Sequence, residues 1–314
     1  MESVIYLKLI KNEEDIFAED SKLPSLLKKI ILKYKLIFKI ATIVSTNNYN
    51  IMILPFRRID ENKIEKYLRK QIKNSKINNT TKLVLENNLK TKTVIKLLED
   101  NGIYYFKGEL IKKILLPETL KYINKLQKKE LLKREVTILV NDNNKLNNWV
   151  IKYIAQNSKI TKIVSNKIYK FKELENELYE NHGIAVQFSN SYQKSLAKSD
   201  IIINLDFTQF ELNEYVINNK AIVINCSDRV IKAISKLFNG IIINSYRIKF
   251  SKEINNIFEN SKLLNEYENI ILYESIINWH NINCAEIREK IDKDKIIISK
   301  LIGINGAINK IEFR

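Results

Sequence analysis

Two histidines, His182 and His280, and two cysteines, Cys226 and Cys284, are the only imidazole and thiol groups in this chain of 314 residues. A zinc site needs three or four such ligands at close spacing, and acid–base work by a histidine pair needs both in one place. His182 precedes Gly183 at a predicted helix end, where a capping role is expected; His280 follows Trp279 at the end of another helix; the cysteines form no C-x-x-C pair. No metal site and no disulfide are therefore expected, and both cysteines are read as reduced and buried. Neither a G-x-S-x-G elbow nor a Walker loop occurs. Acidic residues sit mostly beside lysines in amphipathic stretches such as "KELENELYE", the pattern of solvated helix faces. The stretch that keeps a chemical signature is "VTILVNDNNKLNNWVIKYI", residues 136–154. It reads as a buried strand, a tight loop and a helix start, the frame of a dinucleotide-binding turn without a glycine.

The elements that must carry this loop follow from periodicity. "SVIYLKLI" alternates as a strand. Ser21 or Ser25 caps a helix whose apolar residues Leu26, Leu27, Ile30, Ile31 and Tyr34 share one face, with Lys28, Lys29 and Lys33 pointing outward. "LIFKIATIV" and "NIMILPF" flank the turn-rich "STNNY" as a hairpin, Asp60 opens the helix "ENKIEKYLRKQIKN", and "TKLVLE" is the next strand; this order is that of a split βαβ sandwich. After the helix "TKTVIKLLEDNG" and the strand "IYYF", Pro117 kinks or divides the long "GELIKKILLPETLKYINKLQKKELLK", a connector between domains. Beyond Arg134 the alternation is regular. Strands "VTILV", "ITKIVSN", "IAVQFS", "DIIINL", "AIVINC" and "GIIIN" are separated by helices "NNWVIKYIAQN", "KFKELENELYENHG", "YQKSLAKS", "FELNEYVIN" and "DRVIKAISKLF". Strands apolar on both faces, each followed by a helix, make a doubly wound parallel sheet. From Lys252 the pattern is helical ("EINNIFENSKLL", "ENIILYESIINW", "CAEIREKI") until Asn305-Gly306 marks a hairpin-type turn. The expected fold class is α/β: an N-terminal α/β domain over 1–133, a doubly wound domain over 134–250 and a mostly helical extension over 251–314.

The 53 Lys and Arg against 36 Asp and Glu leave a net charge of +17, the footprint of a phosphate-bearing partner. Nucleic acid is nonetheless not favoured. The lysines are spread over nearly every helix, and the crowding of Lys, Asn and Ile matches AT-rich codon usage, whereas a dedicated binder clusters its charge. The apolar stretch "LLKKIILKYKLIFKIATIV" carries five lysines and is no membrane span, so no membrane partner is expected. Met1 to Ile10 alternates like a strand and acidic "NEED" follows, so no signal peptide is read there and the expected compartment is the cytoplasm.

Residues 136–247 resemble the NADP-binding domain of the shikimate dehydrogenase and glutamyl-tRNA reductase group. The likeness rests on the strand-loop-helix at 136–154, on "KIVSNKIYK", where Asn166 and Lys167 match an Asn-Arg-Thr strand end, and on "SDIIINLDF", where Asn204 matches the Asn of Ala-Asp-Ile-Val-Ile-Asn-Ala-Thr. The resemblance implies a Rossmann-like domain, and it implies Asn143, Asn144, Asn166, Lys167 and Asn204 as cofactor-contacting positions, with Lys167 placed to meet a 2′-phosphate. Against that pattern, Asp142, Asn144 and Asn147 stand where Gly-x-Gly-x-x-Gly has its glycines. Asparagine tolerates the tight turn, but an ionised Asp142 beside a helix N-terminus repels a diphosphate and is suited to cap the helix itself. The catalytic residues are missing too. No cysteine precedes Cys226 to serve as the reductase nucleophile, and Arg57 in "MILPFRR" stands where the dehydrogenase lysine would be, a group that cannot exchange a proton near neutrality.

The leading expectation is thus a non-catalytic Rossmann-like protein, without a cofactor, that binds, regulates or assembles with a protein partner or a second copy of itself. The alternatives are an NADP-dependent oxidoreductase and a nucleic-acid-binding protein.

Overall fold

The computed structural model describes residues 4–11, 15, 17, 23–46, 49–235, 237–251, 254, 269–276 and 283–313. The chain divides into two compact units, one of residues 1–107 with 252–280 and one of 108–251 with 281–314. His280, Trp279, Ser21 and the predicted helix "EINNIFENSKLL", save Ile254, lie outside the described residues.

The first unit runs β1 (Val4–Leu9), α1 (Ser25–Ile37), β2 (Thr42–Ser45), β3 (Asn50–Leu54), α2 (Glu61–Lys73), β4 (Lys82–Leu85), α3 (Lys92–Asp100) and β5 (Tyr105–Phe106). Its sheet has the order β2-β3-β1-β4-β5. Strands β1, β3, β4 and β5 are parallel, and β2 alone is antiparallel, as the hairpin partner of β3. The split βαβ sandwich is therefore not formed: α2 and α3 act as crossovers that return the chain to the same end of the sheet, which makes the pairing parallel. Asp60 and Thr91 cap these helices by accepting the amides of Lys63 and Val94 at 3.1 and 3.3 Å. Leu7, Leu9, Leu54 and Leu85 then pack on Ile64 and Leu68 of α2 and on Leu97 and Leu98 of α3. The helix Asn269–Ile276 packs against β1, β4 and β5.

Helix α1 departs from its expected orientation. Of its residues only Leu32 is buried, while Leu26, Leu27, Ile30 and Tyr34 are exposed. Its N-cap is Pro24, with no side-chain hydrogen bond, and Ser25 is already the first helical residue.

The second unit opens with α4 (Glu109–Ile114) and α5 (Leu116–Gln127), divided as Pro117 predicts. There follow β6 (Glu135–Leu139), α6 (Lys145–Asn157), β7 (Ile160–Val164), α7 (Lys172–His182), β8 (Gln187–Ser189), β9 (Ile201–Asn204), α8 (Gln209–Asn213), β10 (Ile222–Asn225) and β11 (Ile241–Ile243). After β12 (Ser245–Lys249) and the helix already described, now α9, come α10 (Cys284–Lys293) and β13 (Ile297–Ile302). The six strands β6 to β11 are all parallel in the order β11-β10-β9-β6-β7-β8. Succession runs outward from β6 in one direction and from β9 in the other, so the order reverses between them, which is the doubly wound Rossmann arrangement.

Three local expectations change. The stretch "YQKSLAKS" forms turns instead of a helix, because the amide of Ser191 bonds the Ser189 hydroxyl at 3.2 Å and the Ser189 and Ser195 hydroxyls pair at 2.6 Å. The stretch "DRVIKAISKLF" is non-helical among its described residues, its backbone being held by asparagine and glutamine side chains: Asn244 takes both polar groups of Ile231, and Gln209 meets Lys232 and Ala233. The region 251–314 is not helical throughout: β13 pairs antiparallel with β12, and the Asn305-Gly306 turn, with Gly306 at φ 109°, brings Ala307 back onto Ile302. The unit begins at Gly108, not near 134, because α4 packs on α6 and α10 and α5 packs on β13. Arg288 of α10 holds Glu118 of α5 through a two-pronged ion pair.

Gly240 enters β11 where a Cβ would lie 2.1 Å from the carbonyl oxygen of Ala221, a backbone atom of the neighbouring connection. Gly240→Ala is therefore expected to lower stability by about 1–3 kcal/mol, the usual cost of overpacking, visible as a reduced urea midpoint. A wild-type midpoint would contradict this close approach.

Candidate functional site

The C-terminal edge of the six-stranded sheet is where a doubly wound fold places its ligands. In this chain that edge is laced with side chains. The loop after β6 bends back at Asn141, whose backbone amide donates to Oδ1 of Asp206 at 2.7 Å, and the amide of Asp142 donates to Oδ2 of the same carboxylate at 2.8 Å. Asp206 follows β9, so one carboxylate spans the strand pair β6–β9 at the point where the order reverses. Burial lifts its carboxyl above its ordinary value, against the pull of the two amides and of Lys113.

A second carboxylate ties the loop to β7. The Oε1 atom of Glu211 accepts from Nδ2 of Asn141 at 2.9 Å and from Nδ2 of Asn166 at 3.1 Å, while Oε2 accepts the amide and hydroxyl of Thr208 at 2.7 and 2.9 Å. The Thr208 hydroxyl in turn accepts the Glu211 amide, a reciprocal capping box at the start of α8. The amide of Asn166 is taken by Oδ1 of Asn141 at 2.8 Å.

The residues singled out in sequence divide between two places. Asn144, not Asp142, caps α6: its Oδ1 accepts the amide of Asn147 at 2.9 Å, and Asp142 receives the Nδ2 of Asn144. An N-cap side chain accepts the amide of the second or third helical residue, and with Lys145 the first residue of α6 it is Asn144 that stands at the cap, two positions beyond Asp142. Asn143 reaches the Lys170 carbonyl. Asn147, fully buried at the third glycine position, donates to the Asp142 carbonyl at 2.7 Å. Lys167 is exposed, its amide bonded to the Ser165 hydroxyl at 3.0 Å. Gly183, at φ 65°, ends α7, and His182 is the exposed last residue of that helix.

Asn204 stands apart, in a buried ladder. Its Nδ2 donates to the Phe207 carbonyl at 2.9 Å and to Oδ1 of Asn225 at 3.1 Å; Nδ2 of Asn225 donates to Oδ1 of Asn244 at 3.0 Å. The three asparagines end or follow β9, β10 and β11 in parallel register. This ladder is announced by "IIIN", "IVIN" and "IIIN" at 201–204, 222–225 and 241–244, a repeat that motif reading passes over. Asp206 carries no signal of its own, since its partners lie 64 and 65 residues away; Glu211 is announced only as the last residue of a Thr-x-x-Glu capping box, its bonds to Asn141 and Asn166 spanning 70 and 45 residues.

Two lysines of α4 are buried, Lys112 on the Ser227 carbonyl at 2.9 Å and Lys113 4.0 Å from Glu109. Cys226 is fully buried 3.8 Å from the Tyr246 hydroxyl, and burial pushes its thiol up, which disfavours the nucleophilic thiolate. Cys284, the first residue of α10, is half-buried where the sequence predicts a buried thiol. Among the described residues no group of three His, Cys, Asp or Glu is placed to hold a metal, and no helix is long and apolar enough to cross a membrane.

No family description and no curated protein matches the chain. Solved structures do. A dipicolinate synthase chain from Bacillus halodurans is similar at 14% identity and a TM-score of 0.31, over 53% of this chain and 54% of that one, so the match spans about half of the relative's length. L-tryptophan dehydrogenase from Nostoc punctiforme is similar at 11% identity and a TM-score of 0.34, over 93% and 88% of the two chains. An L-alanine dehydrogenase is similar at 10% identity and a TM-score of 0.31, over 74% of each. The chain has an α/β fold with a Rossmann-like unit, and the strand order above is what establishes it.

Two outcomes follow from this geometry. Asn225→Ala removes one of the two bonds made by Nδ2 of Asn204 and one of the two made by Oδ1 of Asn244, and is expected to cost about 1–3 kcal/mol in all, measured by urea denaturation. For Asp206, a folded-state pKa raised above the unfolded one means that the group favours folding below its unfolded pKa and that this contribution is lost as pH rises through the folded pKa. The stability of the wild type relative to Asp206→Asn should therefore grow as pH falls from neutrality through the carboxylate range. A difference that stays flat or shrinks over that range would show that burial does not control this carboxyl.

Proposed function

We propose that the Rossmann-like unit is a non-catalytic module, serving binding, regulation or assembly, whose dinucleotide site is closed by the chain's own groups. The observation that carries the reading is the Asp206 carboxylate on the amides of Asn141 and Asp142 at 2.7 and 2.8 Å. In a dinucleotide-binding turn, backbone amides near this position meet a diphosphate. Here an internal anion holds the start of the loop, Asp142 adds a second negative charge, and the Glu211 bridge from Asn141 to Asn166 crosses the path toward β7. A dinucleotide would have to displace these bonds and desolvate its own phosphates against two carboxylates, a cost that phosphate–amide contacts only partly offset. The two groups weighed as stand-ins for the related enzymes' catalytic residues fit the same reading: Cys226 is buried and Arg57 exposed.

Thermal melting of the full chain with NADPH, NADH and ATP tests this. Each nucleotide is expected to leave the melting temperature unchanged. A saturable rise with NADPH, reaching about 2.7 kcal/mol at a hundred times the dissociation constant and abolished in Lys167→Ala, would replace this reading by that of an NADP-dependent oxidoreductase. Steeply salt-dependent retention on a nucleic-acid matrix would favour the nucleic-acid reading instead.

A further inference from the structure

Helix α1 is amphipathic in the inverted sense. Leu32 is buried, with Ile31 and Leu36 half-buried beside it, while Leu26, Leu27, Ile30, Tyr34 and Ile37 form a stripe at helical spacing that points to solvent, with exposed Leu23 just before the helix. Leu26 is 68% and Ile37 62% exposed, and Phe38 and Ile40 extend the apolar surface past the helix end. A contiguous stripe of this kind marks an interaction surface, whereas scattered exposed residues would not.

Charge identifies the partner. From residue 23 to residue 59 the chain has Lys28, Lys29, Lys33, Lys35, Lys39, Arg57 and Arg58 and no Asp or Glu. Lys29, Lys33 and Lys39 are exposed along the stripe, and an open recess beside it is lined by Lys29, Leu32, Lys33, Leu36 and Arg57. A second copy would set the exposed Lys29, Lys33, Lys39 and Arg57 against the same four cations. A nucleic acid would find phosphate contacts but aliphatic side chains where bases need flat aromatic platforms. Protein interfaces are depleted in lysine and enriched in arginine, the reverse of this helix. Exposed aliphatic and aromatic residues flanked by lysines are instead the composition of a helix that lies in the plane of a membrane surface: the apolar side chains enter the headgroup–acyl boundary and the long lysine stems carry their charge back to lipid phosphates. The lysines that forbid spanning are the groups a surface-lying helix uses.

We propose that α1 docks the protein on an anionic lipid surface, with Leu26, Ile30, Tyr34 and Ile37 entering the interface and Lys29, Lys33 and Arg57 engaging headgroup phosphates.

Co-sedimentation of the full chain with phosphatidylcholine vesicles containing phosphatidylserine tests this. Binding is expected at low salt, weakened by added salt and strongly reduced on phosphatidylcholine alone. Lys29→Ala and Lys33→Ala should each weaken it about fivefold. The double substitution Ile30→Asp with Ile37→Asp should abolish binding at an unchanged melting temperature; if that variant does not fold, the lysine variants decide. The charge-matched pair Lys172→Ala with Lys198→Ala, exposed on the second unit, should leave binding intact. An equal loss from that control pair would reduce the effect to net charge and overturn the proposal. So would absence of vesicle binding, or a concentration-dependent dimer or acidic-protein complex that Ile30→Asp disrupts while vesicle binding persists.

Discussion

Backbone amides that leave the end of a parallel strand have lost their ladder partners and must find acceptors elsewhere. At the β6 exit two of them find the carboxylate of Asp206, and the C-terminal edge of the Rossmann-like unit is organised around that bond. Asp206 is aimed at the loop by Asn204, whose Oδ1 accepts the Phe207 amide at 2.8 Å and so folds the chain back directly after β9. Asn204 is fixed by Asn225, and Asn225 by Asn244. The position of one anion is thus set by a row of neutral amides across three strands. Each amide can both donate and accept, which is why asparagine is the residue that fits such a row.

The same logic explains the irregular chain between β10 and β11. A helix needs its own carbonyls and amides; here Asn225 takes the carbonyl of Arg229 at 2.5 Å, and Asn244 takes the amide and carbonyl of Ile231. Side chains that complete the ladder therefore consume the backbone groups that the amphipathic pattern of "DRVIKAISKLF" would use in a helix. Local propensity and long-range pairing compete for the same atoms, and the buried pairing wins because an unpaired polar group there costs more than an unformed exposed turn.

Much of the architecture is legible in the sequence. The six apolar runs after Arg134 fall on six parallel strands, Pro117 divides its helix, and Asp60 caps α2, since each depends on neighbours close in sequence. The site is legible only in outline. The glycine-free loop and Asn166 are visible, but the sequence points to Asp142 as the carboxylate that meets the loop, when the group in place is Asp206 at the end of β9. Hydrogen bonds between residues more than sixty positions apart leave no mark in a periodicity. Helix α1 departs from its pattern for a different reason: its apolar stripe is real, and the rule that such a stripe faces inward fails where the core is already filled by α2 and α3.

The first unit is discontinuous in the chain: α9, which packs on β1, β4 and β5, comes after every strand of the six-stranded sheet. During synthesis the ribosome therefore releases the whole Rossmann-like sheet before the segment that packs on three strands of the first one. For that interval those strands lack the partner α9 supplies, and apolar surface uncovered in a nascent chain is what chaperones hold and what aggregation starts from. Maturation of this protein is consequently a two-stage event, in which strands β1 to β5 wait for a helix made only after the whole six-stranded sheet.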